Sequence, residues 1–152
     1  MHILFIGYGK TSQRVAKQLF EKEHQITTIS RSVKTDSYAT HLVQDIFKLD
    51  LSKIEPVDVV YILLSPNEST VEGYQHTYVD SIEPIRDALK IHPVKKIIVV
   101  SSTRVYGENA GEIIDDFSEI HPSDEQGHIL RNMELLWQKH YPAQCVIVRP
   151  SG

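Results

Sequence analysis

A pair of glycines between an apolar run and a helix-like segment most constrains the fold of this chain. His2–Ile6 (HILFI) is rich in strand-forming residues, and Gly7-Tyr8-Gly9-Lys10-Thr11-Ser12 follows it directly. The first glycine permits a tight turn, the second lets the backbone approach a phosphate, and the amides of the next helix face that anion. These residues predict a strand–turn–helix unit that binds a dinucleotide. Ser12 takes the third small position in place of glycine or alanine, and the alternative is a purely structural turn.

Strand-like and helix-like segments alternate along the chain. Apolar residues recur every three or four positions within 15–20, 71–89 and 129–141, as amphipathic helices require. Pro84 should kink or divide the second helix, and Pro122-Ser123-Asp124-Glu125 signals the start of the third. The further strand candidates are Gln25–Ile29, Leu42–Val43, Val57–Leu64, Lys96–Val100 and Cys145–Val148. The pattern predicts an α/β Rossmann fold, with a doubly wound parallel sheet of about six strands in the order 3-2-1-4-5-6, in one domain over residues 1–152.

Composition and charge limit the possible functions. The chain has 152 residues, 41% apolar and 24% charged, which is enough for one globular domain with a core. A net charge of −4 and a pI near 6.0 argue against nucleic-acid binding, which needs a basic patch. No apolar run approaches the roughly 20 residues that span a bilayer, so we expect no membrane partner and a cytoplasmic location. The single cysteine, Cys145, lies in the run CVIV, where a buried, inert thiol is expected.

The end of the second strand indicates which dinucleotide is bound. An acid there would hydrogen-bond the ribose 2′-hydroxyl of NAD, but the segment reads Ser30-Arg31-Ser32. A guanidinium flanked by hydroxyls suits a 2′-phosphate, because it donates two charge-assisted hydrogen bonds. We therefore predict NADP as the cofactor and NAD as the second choice, the alternative being that Arg31 is a solvated loop residue. Asp45, after the third strand, either approaches the adenine or caps a helix.

A second motif, Val100-Ser101-Ser102-Thr103-Arg104-Val105-Tyr106-Gly107, ends the fifth strand. It resembles the extended short-chain dehydrogenase/reductase family of nucleotide-sugar epimerases and dehydratases, in which this strand ends in SS followed shortly by VYG. The glycine turn is similar to that of the family's atypical members. Gly111–Asp116 resembles the family's GE-hydrophobic-x-DE segment, and Val148–Gly152 resembles its RPxGIYG signature, cut short. The resemblance covers the whole chain and implies that the family's C-terminal substrate-binding part is absent.

The resemblance also assigns roles to residues of this chain. Ser102 would be the catalytic hydroxyl that hydrogen-bonds the substrate oxygen, with Ser101 beside it at the cofactor. Tyr106 would line the substrate pocket, and Pro150 would lie near the nicotinamide. A homodimer formed through the helices 71–89 and 127–141 is implied as well.

The family's catalytic YxxxK pair is missing. Alignment on the family pattern places Gln126 at the tyrosine and Leu130 at the lysine, and neither side chain can transfer a proton or carry a charge. His128 and Arg131 are the candidates for a substitute role, because imidazoles titrate near neutral pH and a guanidinium binds phosphate. The stretch between Tyr106 and His128 holds seven carboxylates without Lys or Arg; it is either a solvated loop or the border of a site.

Two functions remain open from the sequence. The first is an NADP-dependent oxidoreductase or epimerase-like enzyme for a small-molecule carbonyl or hydroxyl substrate, with Ser102 polarising the oxygen and Tyr106 or His128 donating the proton. The second is a non-catalytic NADP-binding sensor, regulatory subunit or remnant, which explains Gln126 and Leu130 directly. A methyltransferase that uses S-adenosylmethionine is disfavoured, because it leaves the second motif unexplained.

Overall fold

A computed structural model describes residues 1–107, 120, 122 and 124–150. Within these residues the strands form one six-stranded sheet in the order β3-β2-β1-β4-β5-β6, and every neighbouring pair is parallel. The predicted fold class and strand order are confirmed. The strands are β1 (His2–Ile6), β2 (Gln25–Ser30), β3 (Thr40–Val43), β4 (Val59–Ile62), β5 (Lys96–Val100) and β6 (Cys145–Val148).

Helices cover both faces of the sheet. Helix α1 (Lys10–Glu21) packs on one face, and α2 (Val71–Tyr74), a π-helix (Gln75–Asp80), α3 (Ile82–Leu89) and α4 (Glu125–His140) pack on the other. Strand β1 shows why the chain folds this way, because Ile3 and Phe5 contact the α1 side whereas Leu4 and Ile6 contact the opposite core. All four are nearly or fully buried, which requires the continuous apolar run seen in the sequence.

Strand β4 is shorter than the sequence predicts. The apolar run 57–64 suggested a strand throughout, but the strand covers only Val59–Ile62. Leu63 still donates its backbone N–H to the carbonyl of Ile6 at 3.0 Å, and then Leu63 and Leu64 leave the sheet to line a cavity. Their apolar character therefore serves a pocket wall, which hydropathy cannot distinguish from a strand.

The second helix is in separate pieces, one of the two predicted alternatives, but the division lies just before Pro84 and not at it. The chain passes from α2 into a π-helix over 75–80, and α3 starts afresh at Ile82. Pro84 lies in the first turn of α3, where an N–H has no acceptor within the helix and a proline is tolerated. The proline therefore marks a new start, and the irregular turn lies before it.

Helix α4 follows the prediction closely. The Asp124 carboxylate accepts the Gly127 N–H at 2.7 Å and caps the first turn. Leu130, Met133 and Trp137 recur at helical spacing and are at most 2% exposed. No helix in the described part of the chain combines the length and apolarity needed to cross a membrane. The segment 111–116, the carboxylates within 108–119 and the last two residues of the final motif lie outside the described residues.

Candidate functional site

A cavity of about 670 Å³ opens beyond the carboxyl ends of β1, β2, β3 and β4. Strand order reverses between β1 and β4, and ligands of open parallel sheets bind at such a switch point. The volume suits a small organic ligand. The cavity wall contains these residues predicted as cofactor contacts: Gly7, Tyr8, Gly9, Ser30, Arg31, Ser32 and Asp45. It does not include Lys10, Thr11, Ser12, Ser101 or Pro150.

The two glycines of the turn play different parts. Gly7 has φ +93°, and a Cβ there would lie 2.0 Å from the carbonyl oxygen of Leu63, the residue after β4, so no side chain fits. A Cβ on Gly9 would meet nothing within 4 Å. Gly7 therefore shapes the turn, whereas Gly9 leaves open space beside the backbone at the cavity wall. That open space is what a close approach by a pyrophosphate requires.

The start of α1 is left without a local partner for its amides. Its N-cap is Gly9, which supplies no side-chain cap, and its first turn holds no acidic residue. The Ser12 hydroxyl, buried against the sheet, donates to the carbonyl of Gly7 at 3.1 Å and holds the turn closed. The helix thus presents unpaired N–H groups with the positive end of its dipole, and these residues fit a bound anion.

Positive charge lines the cavity beyond β2. Arg31 is exposed and donates to the side-chain carbonyl of Asn67, which stands across the cavity after β4. Lys34 also lines this part of the wall. The Ser30 hydroxyl donates to the Ser32 carbonyl at 2.8 Å, so it shapes the turn after the strand. No carboxylate stands at the end of β2, as the sequence indicated.

Asp45 takes one of the two roles left open by the sequence, that of a helix cap. Its carboxylate accepts the Phe47 N–H at 3.0 Å and caps a 3₁₀ turn, Ile46–Lys48. The same residue lines the cavity. Phe47 and His76, both in the cavity wall, stack with ring centroids 4.2 Å apart.

Sequence reasoning missed several cavity residues. Lys34 could have been found, since it follows Arg31 by three positions in the same loop. The local sequence does not indicate that Asn67, His76 and Thr77 line the cavity. The π-helix brings His76 and Thr77 to the cavity, and an i+5 turn is invisible to a search for a 3.6-residue period.

Tyr8, between the glycines, is tied to the loop that follows β2. Its hydroxyl donates to Asp36 Oδ2 at 2.8 Å. Burial, together with the adjacent carboxylate, raises the pKa of the Tyr8 hydroxyl, so it remains a donor near neutral pH. Asp36 also accepts the Tyr38 N–H and the His41 ring N–H, each at 3.1 Å.

The structure does not gather the three catalytic candidates in one pocket. Ser102 accepts the Arg104 N–H at 3.1 Å and caps the 3₁₀ turn Thr103–Tyr106. Tyr106 is buried, and its hydroxyl accepts a hydrogen bond from Arg149 Nη1 at 3.0 Å. His128 is exposed and lines a separate shallow groove between α2, the π-helix and α4. Ser102 and Tyr106 line neither that groove nor the main cavity.

A buried ion-pair network lies behind these candidates. Glu134 is fully buried, and its carboxylate accepts Arg149 Nε at 2.9 Å and Arg149 Nη2 at 2.8 Å. Arg131 adds a third bond at 3.0 Å. Burial alone would raise the pKa of Glu134, but the hydrogen bonds to its carboxylate, led by those from Arg149, outweigh it and lower that pKa. Arg149 and Arg131 thus hold a carboxylate that joins α4 to the end of β6.

The positions aligned with the missing dyad have structural partners. Gln126 donates its amide to the carbonyl of Ser69 at 2.9 Å and so ties α4 to the loop before α2. Leu130 is buried in the core. Cys145 is only partly buried, and burial raises the pKa of its thiol to about 11. A thiol so protonated is a poor nucleophile.

Known proteins resemble this chain in family and in fold. A family model described as NAD(P)H-binding matches residues 7–150. A comparison with curated protein sequences finds no significant match. Among solved structures, UDP-glucuronic acid 4-epimerase from Bacillus cereus, in complex with NAD, is 22% identical with a TM-score of 0.79 and covers 99% of this chain.

Two further structures give the same fold. UDP-N-acetylglucosamine 4-epimerase from Methanobrevibacter ruminantium M1 is 21% identical, has a TM-score of 0.75 and covers 97% of this chain. A UDP-galactose 4-epimerase is 18% identical, has a TM-score of 0.79 and covers 98%. The aligned part is 56%, 54% and 55% of the three solved chains respectively, so this chain spans about half their length. At such identities the likeness establishes the fold alone.

Proposed function

Because the chain belongs to the family of NAD(P)H-binding domains, we propose that it binds NADP(H) in the cavity beyond β1, β2, β3 and β4. The glycine turn and the N-terminus of α1 would hold the pyrophosphate. Arg31, Ser32 and Lys34 would hold the 2′-phosphate, and Asp45 would lie on the adenine side. When bound, the cofactor supplies a hydride donor or acceptor; the residues of this chain bind and orient it.

The observation that carries the choice of NADP is the charge on the wall beyond β2. Two cations, Arg31 and Lys34, line the cavity there, and the strand ends in Ser30 with no carboxylate. A 2′-phosphate gains charge-assisted hydrogen bonds from such groups. A ribose 2′-hydroxyl needs an acceptor instead, and the acid that usually supplies it is missing.

Calorimetric titration with NADPH and, separately, NADH tests the proposal. We expect NADPH to bind more tightly, and Arg31→Ala to weaken it by about tenfold, the equivalent of about 1.4 kcal/mol. Lys96→Ala is the matched control. Lys96 is exposed at the amino end of β5, whereas the cavity lies beyond the carboxyl ends of the strands. Binding of neither cofactor, or an equal effect of both variants, would contradict the proposal.

The geometry of the described residues supports binding more than catalysis. Ser102 serves as a cap, the Tyr106 hydroxyl is held by Arg149, and His128 faces another groove. None of the three lines the cavity proposed for the cofactor. We therefore favour a non-catalytic NADP-binding function, such as that of a sensor or regulatory subunit.

An NADP-dependent oxidoreductase or epimerase-like activity is the second candidate. Ser101 and Ser102 follow β5 on the same sheet edge as the cavity, which favours a substrate site there. A panel of carbonyl compounds and nucleotide sugars, followed by NADPH absorbance, tests this candidate. Turnover that is lost in Ser102→Ala would support the enzyme; silence of the panel would favour the binding function.

We also propose a homodimer formed through the helices of one sheet face. Helix α4 packs against α2 and the π-helix, and Leu135 on α4 is 48% exposed. Light scattering of the purified chain and of Leu135→Glu tests this, since a charge in the interface should yield monomers. The single domain over 1–152 and the cytoplasmic location stay predictions.

A further inference from the structure

The loop between β2 and β3 is anchored by a cluster of four side chains: Thr28, Asp36, His41 and Tyr8. The Asp36 carboxylate is at the centre, 13% exposed. It accepts from the Tyr8 hydroxyl at 2.8 Å and from His41 Nε2 at 3.1 Å. The other ring nitrogen, His41 Nδ1, lies 2.6 Å from the Thr28 hydroxyl, which donates to it when the imidazole is neutral.

This anchor cluster connects three separate segments of the chain, and of its members only Tyr8 lines the cavity. Tyr8 belongs to the glycine turn, Thr28 to β2, and His41 to β3. The Tyr8 ring is buried, packs edge-on against Phe5 with centroids 6.1 Å apart and lies 5.0 Å from the His41 ring. Tyr8 and His41, the two partners of Asp36 that lie outside its own loop, are thus held by the sheet, and the loop that carries Asp36 is left to be positioned.

The loop needs such an anchor. Residues 31–39 form no helix or strand, so few backbone hydrogen bonds hold them, and ordering each residue costs about 1–2 kcal/mol of conformational entropy. The same loop carries Arg31, Ser32 and Lys34 into the cavity wall. Asp36 itself does not line the cavity, because its carboxylate is turned toward Tyr8 and His41.

We propose that Asp36 is a positioning residue that holds this loop against the glycine turn and thereby sets the preference for NADPH over NADH. The proposal rests on the proposed function of the cavity. The 2′-phosphate distinguishes the two cofactors, and the lysine and arginine that line the cavity in the described part of the chain, Arg31 and Lys34, both lie in this loop. A displaced loop should therefore weaken the binding of NADPH and leave the binding of NADH unchanged.

The change in net charge alone predicts the opposite effect on NADPH affinity, so the experiment separates the two explanations. Removing a carboxylate makes the protein more positive and should tighten binding of NADPH, the more negative cofactor. Loss of the anchor should weaken it instead. Asp87→Ala is the matched control, because it removes the same charge from an exposed site on α3.

The experiment measures the Kd of NADPH and of NADH for the full chain and for Asp36→Ala, Asp36→Asn and Asp87→Ala. Hydrogen exchange of residues 31–39 is followed without cofactor. For Asp36→Ala we expect an NADPH Kd raised about tenfold, an unchanged NADH Kd and faster exchange in the loop. Asp36→Asn should recover part of the preference, since its side-chain carbonyl, in the place of Oδ1, can still accept from the Tyr38 N–H and from His41 Nε2.

The outcomes separate the two proposals. The positioning role is overturned if the wild type prefers NADPH and Asp36→Ala keeps that preference. It is also overturned if Asp36→Ala lowers the Kd of NADPH, as Asp87→Ala should. If the wild type binds neither cofactor, the proposed function fails, and the exchange data decide the anchor by themselves. Unchanged exchange in Asp36→Ala would overturn the anchor, and faster exchange would support it. If Asp36→Ala fails to fold, the cofactor preference and the loop exchange of Asp36→Asn decide instead.

Discussion

The ion pair between Glu134 and Arg149 should be a major determinant of stability at the end of β6. Glu134 is fully buried, and two of its three guanidinium bonds come from Arg149, whose side chain is 19% exposed. Removing one partner of a buried pair costs about 3–5 kcal/mol, and without Arg149 only the single bond from Arg131 would still compensate the buried carboxylate. We therefore expect Arg149→Leu to lower the free energy of unfolding by about that amount.

Arg131→Leu is the matched control. Arg131 makes one bond to the same carboxylate, and its side chain is 27% exposed. Its loss leaves the two Arg149 bonds in place, so the cost should be about 1 kcal/mol. The double variant Glu134→Leu/Arg149→Leu should recover much of the loss, because no buried charge remains.

Urea unfolding followed by the fluorescence of Trp137 is the assay, since this residue is the sole tryptophan and lies buried on α4. Small proteins are stable by about 5–15 kcal/mol, so Arg149→Leu could unfold without denaturant. Arg149→Lys keeps the charge, loses the bidentate fork and should cost less, about 1–2 kcal/mol. Equal costs for Arg149→Leu and Arg131→Leu, or no recovery in the double variant, would refute the reasoning.

The pH dependence provides a second check on the same pair. In the wild type the lowered pKa of Glu134 contributes stability above its unfolded value of 4.5, and this is lost as pH falls through the folded pKa. In Arg149→Leu, burial should instead raise the pKa of Glu134, so the free energy of unfolding of that variant should increase on acidification. The stability gap between the two proteins should narrow below about pH 5. A gap that is independent of pH would contradict the assignment.

Three further predictions follow from single contacts. Gly7→Ala should destabilise the protein by about 3 kcal/mol or more, because the added Cβ meets the Leu63 carbonyl. Gly9→Ala should cost about 1 kcal/mol or less of stability while weakening cofactor binding. Thermal unfolding measures the stability of both variants, and calorimetry measures their cofactor binding. Asp124→Ala should lower the stability by about 1–2 kcal/mol through loss of the α4 cap, and an unchanged urea midpoint would contradict this. Burial alone would raise the pKa of Asp36, but hydrogen bonds led by that from Tyr8 lower it below 3.8. Its stabilisation, present above that value, should fade below about pH 4, so the urea midpoints of the wild type and Asp36→Ala should converge there.

The sequence by itself determined the order of elements and the place of the site. The strand runs, the glycine turn and the Asp124 cap are local features, whose physical causes lie within a few residues of each other. Parallel strands bring their carboxyl ends to one edge, so Gly7, Ser30 and Asp45 could be expected in one cavity wall. The predictions missed a boundary where a local pattern has two physical uses: the apolar Leu63 lines a cavity and is not part of a strand, and Pro84 lies in the first turn after the helix break.

Only the tertiary structure decided which partners the functional side chains take. Tyr8 meets Asp36 across 28 positions, Arg31 meets Asn67 across 36, and Arg149 meets Tyr106 across 43. A hydroxyl or a guanidinium has a fixed capacity for hydrogen bonds, but the partner depends on which loops the sheet brings together. Tyr106, a proton-donor candidate in the sequence, therefore becomes a buried acceptor for Arg149 in the fold.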